Sequence, residues 1–319
     1  MVNEPSVNPS KRIVIRDSTL REGLDTPNVV FTTAQRLKIA RLLDKINVPE
    51  IEIVAPGKVL RDLEFAKRLK EEELRITTSG LVYAYNPQCR QEIESASKYL
   101  DRLDVLMPVS ARRKPYGIED KIECLGDVLP YALEFQPDVG VGFPHTTQTE
   151  VDLLLEIAIA AVKRGAKRVT LYDTNGSTDP FEIYRLIGRF KKDLSVPICF
   201  HGHNDLGLAT ANALSAVQAG ADILDVTING LGDRAGNTSL EQIVMCLHLK
   251  GVYTGIILHG LKILSTTVAQ ESGVDVSKIA PVVGDYVFSH KSPSHLEYPE
   301  LFEAFDPGIL GLKRDLTTS

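Results

Sequence analysis

The sequence contains no tryptophan, only four cysteines and no long apolar run, and the last two features are informative. The cysteines are scattered without a Cys-x-x-Cys pair, which predicts reduced thiols in a cytoplasmic protein. No apolar stretch approaches the roughly eighteen residues that a membrane span requires. The first residues also lack the basic-then-apolar order of a secretion signal. We therefore expect a cytoplasmic protein without a membrane partner.

An excess of positive charge is missing as well. The 36 basic residues are outnumbered by 42 acidic ones, and the net charge of -6 argues against nucleic acid as the main partner. Hydrophobic residues make up 43% and charged residues 24% of the chain, as in soluble globular proteins. With 319 residues, the chain is long enough for one large α/β barrel or for two ordinary domains.

Short apolar runs typical of strands alternate with longer segments whose apolar residues recur at helical spacing. The strand-like runs are residues 12–16, 51–55, 76–82, 103–107, 139–143, 168–172, 197–201 and 223–227. The clearest helical segments are residues 33–46, 149–164, 180–192, 206–219 and 239–249. This alternation predicts a (β/α)8 barrel over residues 1–251 and a short helical or irregular appendage over residues 252–319. An open doubly wound sheet is the alternative, but the Gly-x-Gly-x-x-Gly turn that usually follows its first strand is missing here.

Two histidines suggest where the chemistry lies. His201 and His203 come directly after the apolar run 196–200. Side chains two residues apart on a strand point the same way. Active sites of such barrels lie at the carboxyl ends of the strands, where Glu22 follows strand one and Asn237 follows strand eight. These four side chains are predicted to converge on a divalent cation, in a nitrogen and oxygen shell that suits Mn, Mg, Co or Zn. The alternatives are a pair of core histidines, a surface ion pair for the acid and a helix cap for the amide.

Three motifs resemble the signatures of the DRE-TIM metallolyase superfamily. They are DSTLREG at residues 17–23, the His-x-His pair, and GLGDRAGN at residues 230–237. The superfamily includes isopropylmalate, homocitrate and citramalate synthases and 3-hydroxy-3-methylglutaryl-CoA lyase. The resemblance covers roughly residues 12 to 250, with a weaker tail to residue 311. It implies a metal site formed by the four side chains above, with Arg21 beside it to stabilise an enolate or oxyanion.

The synthase branch of this superfamily fits better than the lyase branch. The lyases carry a cysteine in the loop after strand eight, and residues 230–241 of this chain contain none. Residues 281–295 resemble a synthase segment with two histidines five apart, of which the second acts in deprotonating acetyl-CoA at the neighbouring subunit's site. The resemblance implies a homodimer in which His295 has this role, and a Claisen condensation of an acyl-CoA with a 2-oxo acid. A metal-dependent lyase or aldolase and a catalytically inactive barrel are the alternatives.

Some positions depart from the synthase pattern or carry a weaker signal. Phe302 stands where the synthases have a tyrosine, and residues 142–148 replace their acidic pair after strand five. The remaining candidates are Glu52 and Thr174 as catalytic residues at strand ends, and Asp17, His145 and Arg112 as substrate-binding residues. A histidine that merely fills its loop and a solvated basic turn over residues 112–114 are the alternatives for the last two.

Overall fold

Eight parallel strands close into a barrel in the computed structural model, which describes residues 12–112 and 117–316. The strands are β1 (Val14–Asp17), β2 (Glu50–Val54), β3 (Thr77–Tyr83), β4 (Arg102–Leu106), β5 (Val139–Phe143), β6 (Val169–Asp173), β7 (Ile198–Gly202) and β8 (Ile223–Val226). The first strand pairs with both β2 and β8, so that Arg16 lies between Glu50 and Asp225. The predicted (β/α)8 fold is therefore confirmed.

Helices connect the strands on the outside of the barrel. They are α1 (Thr33–Lys45), α2 (Val59–Lys70), α3 (Cys89–Ala96), α4 (Ile118–Phe135), α5 (Val151–Lys163), α6 (Pro180–Asp193), α7 (Ala209–Gln218) and α8 (Leu240–Leu249). Capping residues set several helix starts: Thr32 forms a capping box with Gln35 before α1, and Asp179 accepts two backbone hydrogen bonds before α6. No helix of the described residues is both long and apolar enough to cross a lipid bilayer.

Charged side chains fill the lower part of the barrel interior, where apolar side chains are usual. Arg16 is fully buried there, with Asp104 Oδ2 2.5 Å from its Nη1 and Asp225 Oδ1 2.5 Å from its Nε. The Nε atom of Arg168 lies 3.0 Å from the other oxygen of Asp104, and its Nη2 lies 3.6 Å from Glu50 Oε1. Each of these two buried cations has anionic partners, as the burial of charge requires.

The upper interior is apolar on the side formed by β3, β4 and β6. Leu81, Leu106 and Tyr172 form a small buried cluster that is separate from the main core. The neighbouring β5 carries a glycine at residue 142, where an added Cβ would lie 2.5 Å from Leu106 Cδ2 and 3.0 Å from Tyr172 Cε2. The missing side chain therefore leaves room for two larger ones near the barrel mouth.

Beyond Leu249, the described part of the chain adds no strand to the barrel. It contains α9 (Leu261–Ser272), which packs beside α1, and the short helix α10 (Pro293–Glu297). The backbone N–H of Asp315 donates to Phe288 O at 2.9 Å, and this bond fastens the end of the described chain to the middle of the tail.

Candidate metal centre

Two strand ends bring three of the predicted metal ligands together at the mouth of the barrel. Glu22 opens a short 3-10 turn after β1, His201 lies in β7, and His203 follows just beyond that strand. The carboxyl ends of β7, β8 and β1 meet because these strands are neighbours in the closed barrel. His203 Nε2 lies 3.3 Å from His201 Nε2 and 3.8 Å from Glu22 Oε1. Ligand atoms of the three residues all lie within 4.8 Å of one another, close enough to share one ion.

The predicted fourth ligand, Asn237, lies against this cluster. Its Nδ2 is 2.9 Å from His201 Nε2, and its backbone forms an isolated bridge with that of His203. It does not cap α8, because Ser239 accepts the capping hydrogen bond. A glycine at residue 232 allows the close approach, since an added Cβ there would overlap with Asn237 Oδ1. The structure therefore brings together all four side chains that the sequence nominated.

The cluster contains buried oxygens that would suit a cation. Glu22 Oε1 and Asn237 Oδ1 are buried and have no hydrogen-bond donor among the residues that the structure describes. A buried acceptor without a donor is costly, and an ion is one of the ordinary explanations for it. The donor set of imidazole, carboxylate and amide oxygen is one that first-row divalent metals and zinc accept. The described residues therefore fit a divalent cation.

The protonation states of the cluster also suit a cation. Burial raises the pKa of Glu22, but Arg21 and the two histidines outweigh it and lower this pKa to about 2. Burial and the neighbouring His201 lower the pKa of His203 to about 3. At neutral pH the carboxyl group is therefore ionised and the His203 ring is neutral, the forms in which both groups bind metals.

The buried carboxylate of Asp225 orients His201. Its Oδ2 lies 3.1 Å from His201 Nδ1, and its other oxygen accepts from Arg16 Nε. Burial raises the pKa of Asp225, but Arg16 and His201 outweigh it, so the group is ionised and acts only as an acceptor. His201 Nδ1 therefore carries the proton, and the lone pair of Nε2 faces the cluster. Sequence reasoning missed Asp225 and Arg16, whose only signal was a charge within an apolar strand.

Arg21 lies beside the cluster as a cation, and one of its nitrogens has no partner among the described residues. Its Nη1 donates to Glu22 Oε2, and its Nε donates to Glu52 Oε1 at 2.5 Å. Ser18 Oγ donates to the same oxygen of Glu52 at 3.2 Å. Burial lowers the pKa of Arg21, but the two carboxylates outweigh it and raise this pKa. The buried Nη2 has no partner within residues 12–112 and 117–316, so it is available to an oxygen of a bound molecule.

Thr174 and His145 hold each other at the mouth of β5 and β6. The backbone N–H of His145 donates to Thr174 Oγ1 at 2.8 Å, and His145 takes a left-handed conformation with φ of 67°. Tyr172, within β6, contacts the cluster, because its ring centroid lies 4.7 Å from that of His201. The Tyr172 hydroxyl is buried without a hydrogen-bond partner in the described chain, and sequence reasoning gave it no role.

The other predicted site residues have surroundings of their own. Both oxygens of Asp17 accept hydrogen bonds from Thr19, and burial raises the pKa of Asp17 to about 7. Arg112 is exposed in the turn after β4, whereas Arg113 and Lys114 lie outside the described residues. His295 contacts the rings of His290 and Phe302, so within one chain it belongs to a second cluster.

The chain is similar in sequence to known enzymes. Residues 12–268 match the sequence model of the HMGL-like family. The chain is 34% identical to homocitrate synthase 1 of Nostoc sp., in an alignment that covers 96% of this chain and 82% of that protein. It is also 34% identical to the 2-isopropylmalate synthase of Methanocaldococcus jannaschii, over 98% of this chain and 61% of that protein. The chain thus spans less than two thirds of the length of that longer relative.

Solved structures share the fold at lower sequence identity. The HMG-CoA lyase of Bacillus subtilis superposes with a TM-score of 0.74 at 20% identity, over 83% of this chain and 95% of that one. The carboxyl transferase domain of Rhizobium etli pyruvate carboxylase does so with a TM-score of 0.70 at 17% identity, over 88% and 51% of the two chains. These likenesses concern the barrel alone. The family match over most of the sequence and the 34% identity to homocitrate synthase 1 show that the chain belongs to the HMGL-like family, within the DRE-TIM metallolyase superfamily.

Proposed function

We propose that this protein catalyses a divalent-metal-dependent Claisen condensation, in which an acyl-CoA, most simply acetyl-CoA, joins a 2-oxo acid and gives a 2-hydroxy dicarboxylate. The observation that carries the proposal is the convergence of Glu22, His201 and His203 at the barrel mouth, with Arg21 beside them. Relatives that are 34% identical are named homocitrate synthase and 2-isopropylmalate synthase, which are acyltransferases that form a carbon–carbon bond.

Each side chain of the centre has a part in this reaction. Glu22, His201, His203 and Asn237 would hold the cation, and a bound Mn, Mg, Co or Zn ion supplies Lewis-acid polarisation of a keto oxygen. Arg21 stabilises the negative charge that develops on oxygen, because its Nη2 is a buried donor without a partner in the described chain. Glu52 positions this guanidinium through the bond to Nε, and Thr174 holds the loop of His145 at the edge of the site.

The apolar cluster of Leu81, Leu106 and Tyr172 bears on the choice of 2-oxo acid. Its member Tyr172 lies beside His201, so the cluster would meet the side chain of an acid bound at the metal centre. Burying a second carboxylate there would cost desolvation free energy, whereas an alkyl group would gain from burial. An acid with a small apolar side chain is therefore the preferred substrate. Arg112, which is exposed, would meet the phosphates of the acyl-CoA, and Asp17 would act by supporting the turn at Thr19.

His295 requires a second copy of the chain. Its contacts within one chain are in the tail, so we assign it to the site of the partner in a homodimer, where it removes the proton from the acyl-CoA methyl group. The tail after residue 251 is then the part that reaches the partner.

Mixing two inactive variants tests this assignment. An equimolar mixture of Arg21→Ala and His295→Ala chains, after subunit exchange, should recover roughly a quarter of the wild-type activity, because half of the dimers contain one intact site. No recovery from a mixture that sedimentation shows to contain mixed dimers would contradict a site shared between subunits.

The reaction itself is tested by thiol release. Acetyl-CoA is incubated with a panel of 2-oxo acids, with and without added divalent metal, and free CoA is measured together with the product acid. We expect release only with metal, with a preference for small apolar acids over dicarboxylic ones. Cleavage of 3-hydroxyacyl or 2-oxo-4-hydroxy compounds without any condensation would overturn the proposal in favour of a lyase. The described loop between β8 and α8 contains no cysteine, which argues against that outcome.

A further inference from the structure

The tail contains a chain of polar contacts that ends at His295. We call it the tail relay, and its members are Arg314, Glu303, His290 and His295. Arg314 Nε and Nη2 each lie 2.9 Å from one oxygen of Glu303. Glu303 Oε1 lies 3.1 Å from His290 Nε2, and the side chains of this pair are only 2% and 7% exposed. His290 Nδ1 in turn lies 3.4 Å from His295 Nδ1.

The relay is fixed in place from both sides. The backbone N–H of His290 donates to Asp315 O at 3.1 Å, so His290 and Arg314 are held on adjoining segments. Phe288 and Phe305 pack edge to face behind them, with ring centroids 5.4 Å apart. The ring of His295 stacks on Phe302, with centroids 3.7 Å apart and planes 12° from parallel. The orientation of the His295 ring is therefore set by packing as well as by hydrogen bonding.

The contacts determine which nitrogen carries each proton. The hydrogen bonds from Arg314 lower the pKa of Glu303, so its carboxylate is ionised at neutral pH and only accepts hydrogen bonds. His290 Nε2 must then carry a proton, and the Nδ1 of a neutral His290 ring is an acceptor. Because the two Nδ1 atoms face each other, the proton between them belongs to His295. The Nε2 atom of His295 is left with its lone pair.

We propose that Glu303 and His290 are positioning residues that fix the tautomer of His295, so that its Nε2 is unprotonated and acts as the base. The assignment of His295 as a base rests on the proposed function, whereas the tautomer does not. In the deprotonation step, the methyl C–H bond of the acyl-CoA breaks, the new N–H bond forms at Nε2, and the electron pair passes to the enolate. The charge gained by His295 is offset through His290 by Glu303.

Nitrogen NMR tests the proposal directly. Wild-type protein labelled with 15N-histidine is measured without acyl-CoA at about pH 8, above the ordinary histidine pKa, and the His295 signals are assigned by their loss in His295→Gln. We expect a protonated Nδ1 and an unprotonated Nε2 in His295. The opposite tautomer, or an exchanging mixture of the two, would overturn the proposal.

Two variants at residue 290 separate the relay from simple packing. Asn in His290→Asn keeps an acceptor near the place of Nδ1, so the Nδ1–H tautomer of His295 should persist. His290→Leu keeps bulk but no acceptor, so His295 should become a mixture of tautomers. Equal tautomer populations in the two folded variants would refute the role of His290. If neither variant folds, the wild-type spectrum alone decides.

A Glu303→Gln variant examines the far end of the relay. The neutral amide no longer obliges His290 to keep its proton on Nε2, so the population of the Nδ1–H tautomer in His295 should fall. A folded Glu303→Gln protein in which His295 keeps the wild-type tautomer would show that the Glu303 carboxylate does not fix this tautomer. If wild-type protein shows the expected tautomer but releases no CoA, the proposed function is refuted and the positioning roles of Glu303 and His290 still hold.

Discussion

His201 and His203 at the barrel mouth and His290 and His295 in the tail are two pairs of neighbouring imidazoles with opposite arrangements. In the barrel pair the two Nε2 atoms face each other at 3.3 Å, next to a carboxylate. In the tail pair the two Nδ1 atoms face each other at 3.4 Å, and the carboxylate lies beyond the pair. The first arrangement gathers lone pairs at one point and suits a cation. In the second, successive hydrogen bonds lead from the carboxylate to the outer histidine, an arrangement that suits a base.

Both pairs nevertheless have the same kind of support. One histidine of each pair contacts a buried carboxylate that an arginine holds: Asp225 with Arg16 in the barrel, and Glu303 with Arg314 in the tail. The arginine lowers the pKa of each carboxyl group, so each is an obligatory acceptor and defines a tautomer. In each pair, the ring nitrogen that contacts the carboxylate carries a proton. Whether that nitrogen is Nδ1 or Nε2 therefore decides which nitrogen keeps its lone pair.

Removing a histidine of the barrel pair should have the largest effect. His203→Ala takes one ligand from the proposed site, so we expect loss of stoichiometric metal and loss of turnover by at least about a thousandfold. Metal content after dialysis and CoA release measure the two effects. His248→Ala, at an exposed histidine of α8, is the matched control and should change neither. Full metal content in His203→Ala would show that His203 is not a ligand.

Replacing Arg21 should separate metal binding from catalysis. Arg21→Ala removes the donor beside the cluster, and we expect turnover to fall roughly 10²- to 10³-fold while metal content stays near that of the wild type. Arg90→Ala, at an exposed arginine paired with Asp127, serves as the control for loss of a guanidinium. Near-normal turnover of Arg21→Ala at saturating substrate would refute the role assigned to this residue.

The carboxylate that supports the barrel pair should matter more for metal affinity than the one in the tail. Asp225→Asn weakens the constraint on His201, so metal affinity should fall roughly 10- to 100-fold. Glu303→Gln should leave metal affinity unchanged, because its histidine pair lies in the tail. Calorimetric titration of both variants measures the difference, with circular dichroism as a check of folding. Equal affinities in the two variants would remove the distinction between the pairs.

Much of the barrel site followed from the sequence because strand geometry fixes it. The spacing of His201 and His203 and the order of β7, β8 and β1 were enough to place Glu22 and Asn237 beside them. The role of Asp225 was not predicted. A charged residue within an apolar strand indicates that the residue needs a partner, but not which partner. Its partner Arg16 lies 209 residues away in sequence, and only the closed barrel brings the two together.

The tail was harder to predict for a different reason. Its members His290, Glu303 and Arg314 lie in irregular segments without a repeating period, so spacing carries no information about their contacts. The resemblance to the synthases singled out His295 but not the groups behind it. The apolar cluster around Leu106 was likewise not recognised, because strand residues that face the barrel interior and those that face the helices are both buried.

The buried carboxyl group of Asp17, which has no arginine partner among the described residues, provides the smallest and most specific test of the comparison. Asp17 has Thr19 as its hydrogen-bond donor, and burial raises its pKa to about 7 from 3.8. The folded protein therefore keeps a proton that the unfolded chain loses, so the contribution of Asp17 to stability falls as the pH rises from 3.8 to about 7. Asp17→Asn keeps an acceptor for the Thr19 N–H and cannot titrate.

Urea unfolding of apo wild type and Asp17→Asn across this pH range measures the effect. The free energy of unfolding of the variant, relative to wild type, should rise by up to about 1.4 kcal/mol per pH unit and level off above pH 7. A difference that stays constant across the range would show that Asp17 is ionised in the folded protein, as the arginine-held carboxylates are.

Pulsed electron paramagnetic resonance of the Mn²⁺-loaded protein, with 14N- and 15N-labelled histidine, tests the central claim most directly. Couplings from two histidine nitrogens are expected in wild type, with one coupling lost in His201→Ala or in His203→Ala if residual ion binds. Couplings that remain unchanged in both variants, or a bound ion without any histidine coupling, would contradict a cation held by this pair at the barrel mouth.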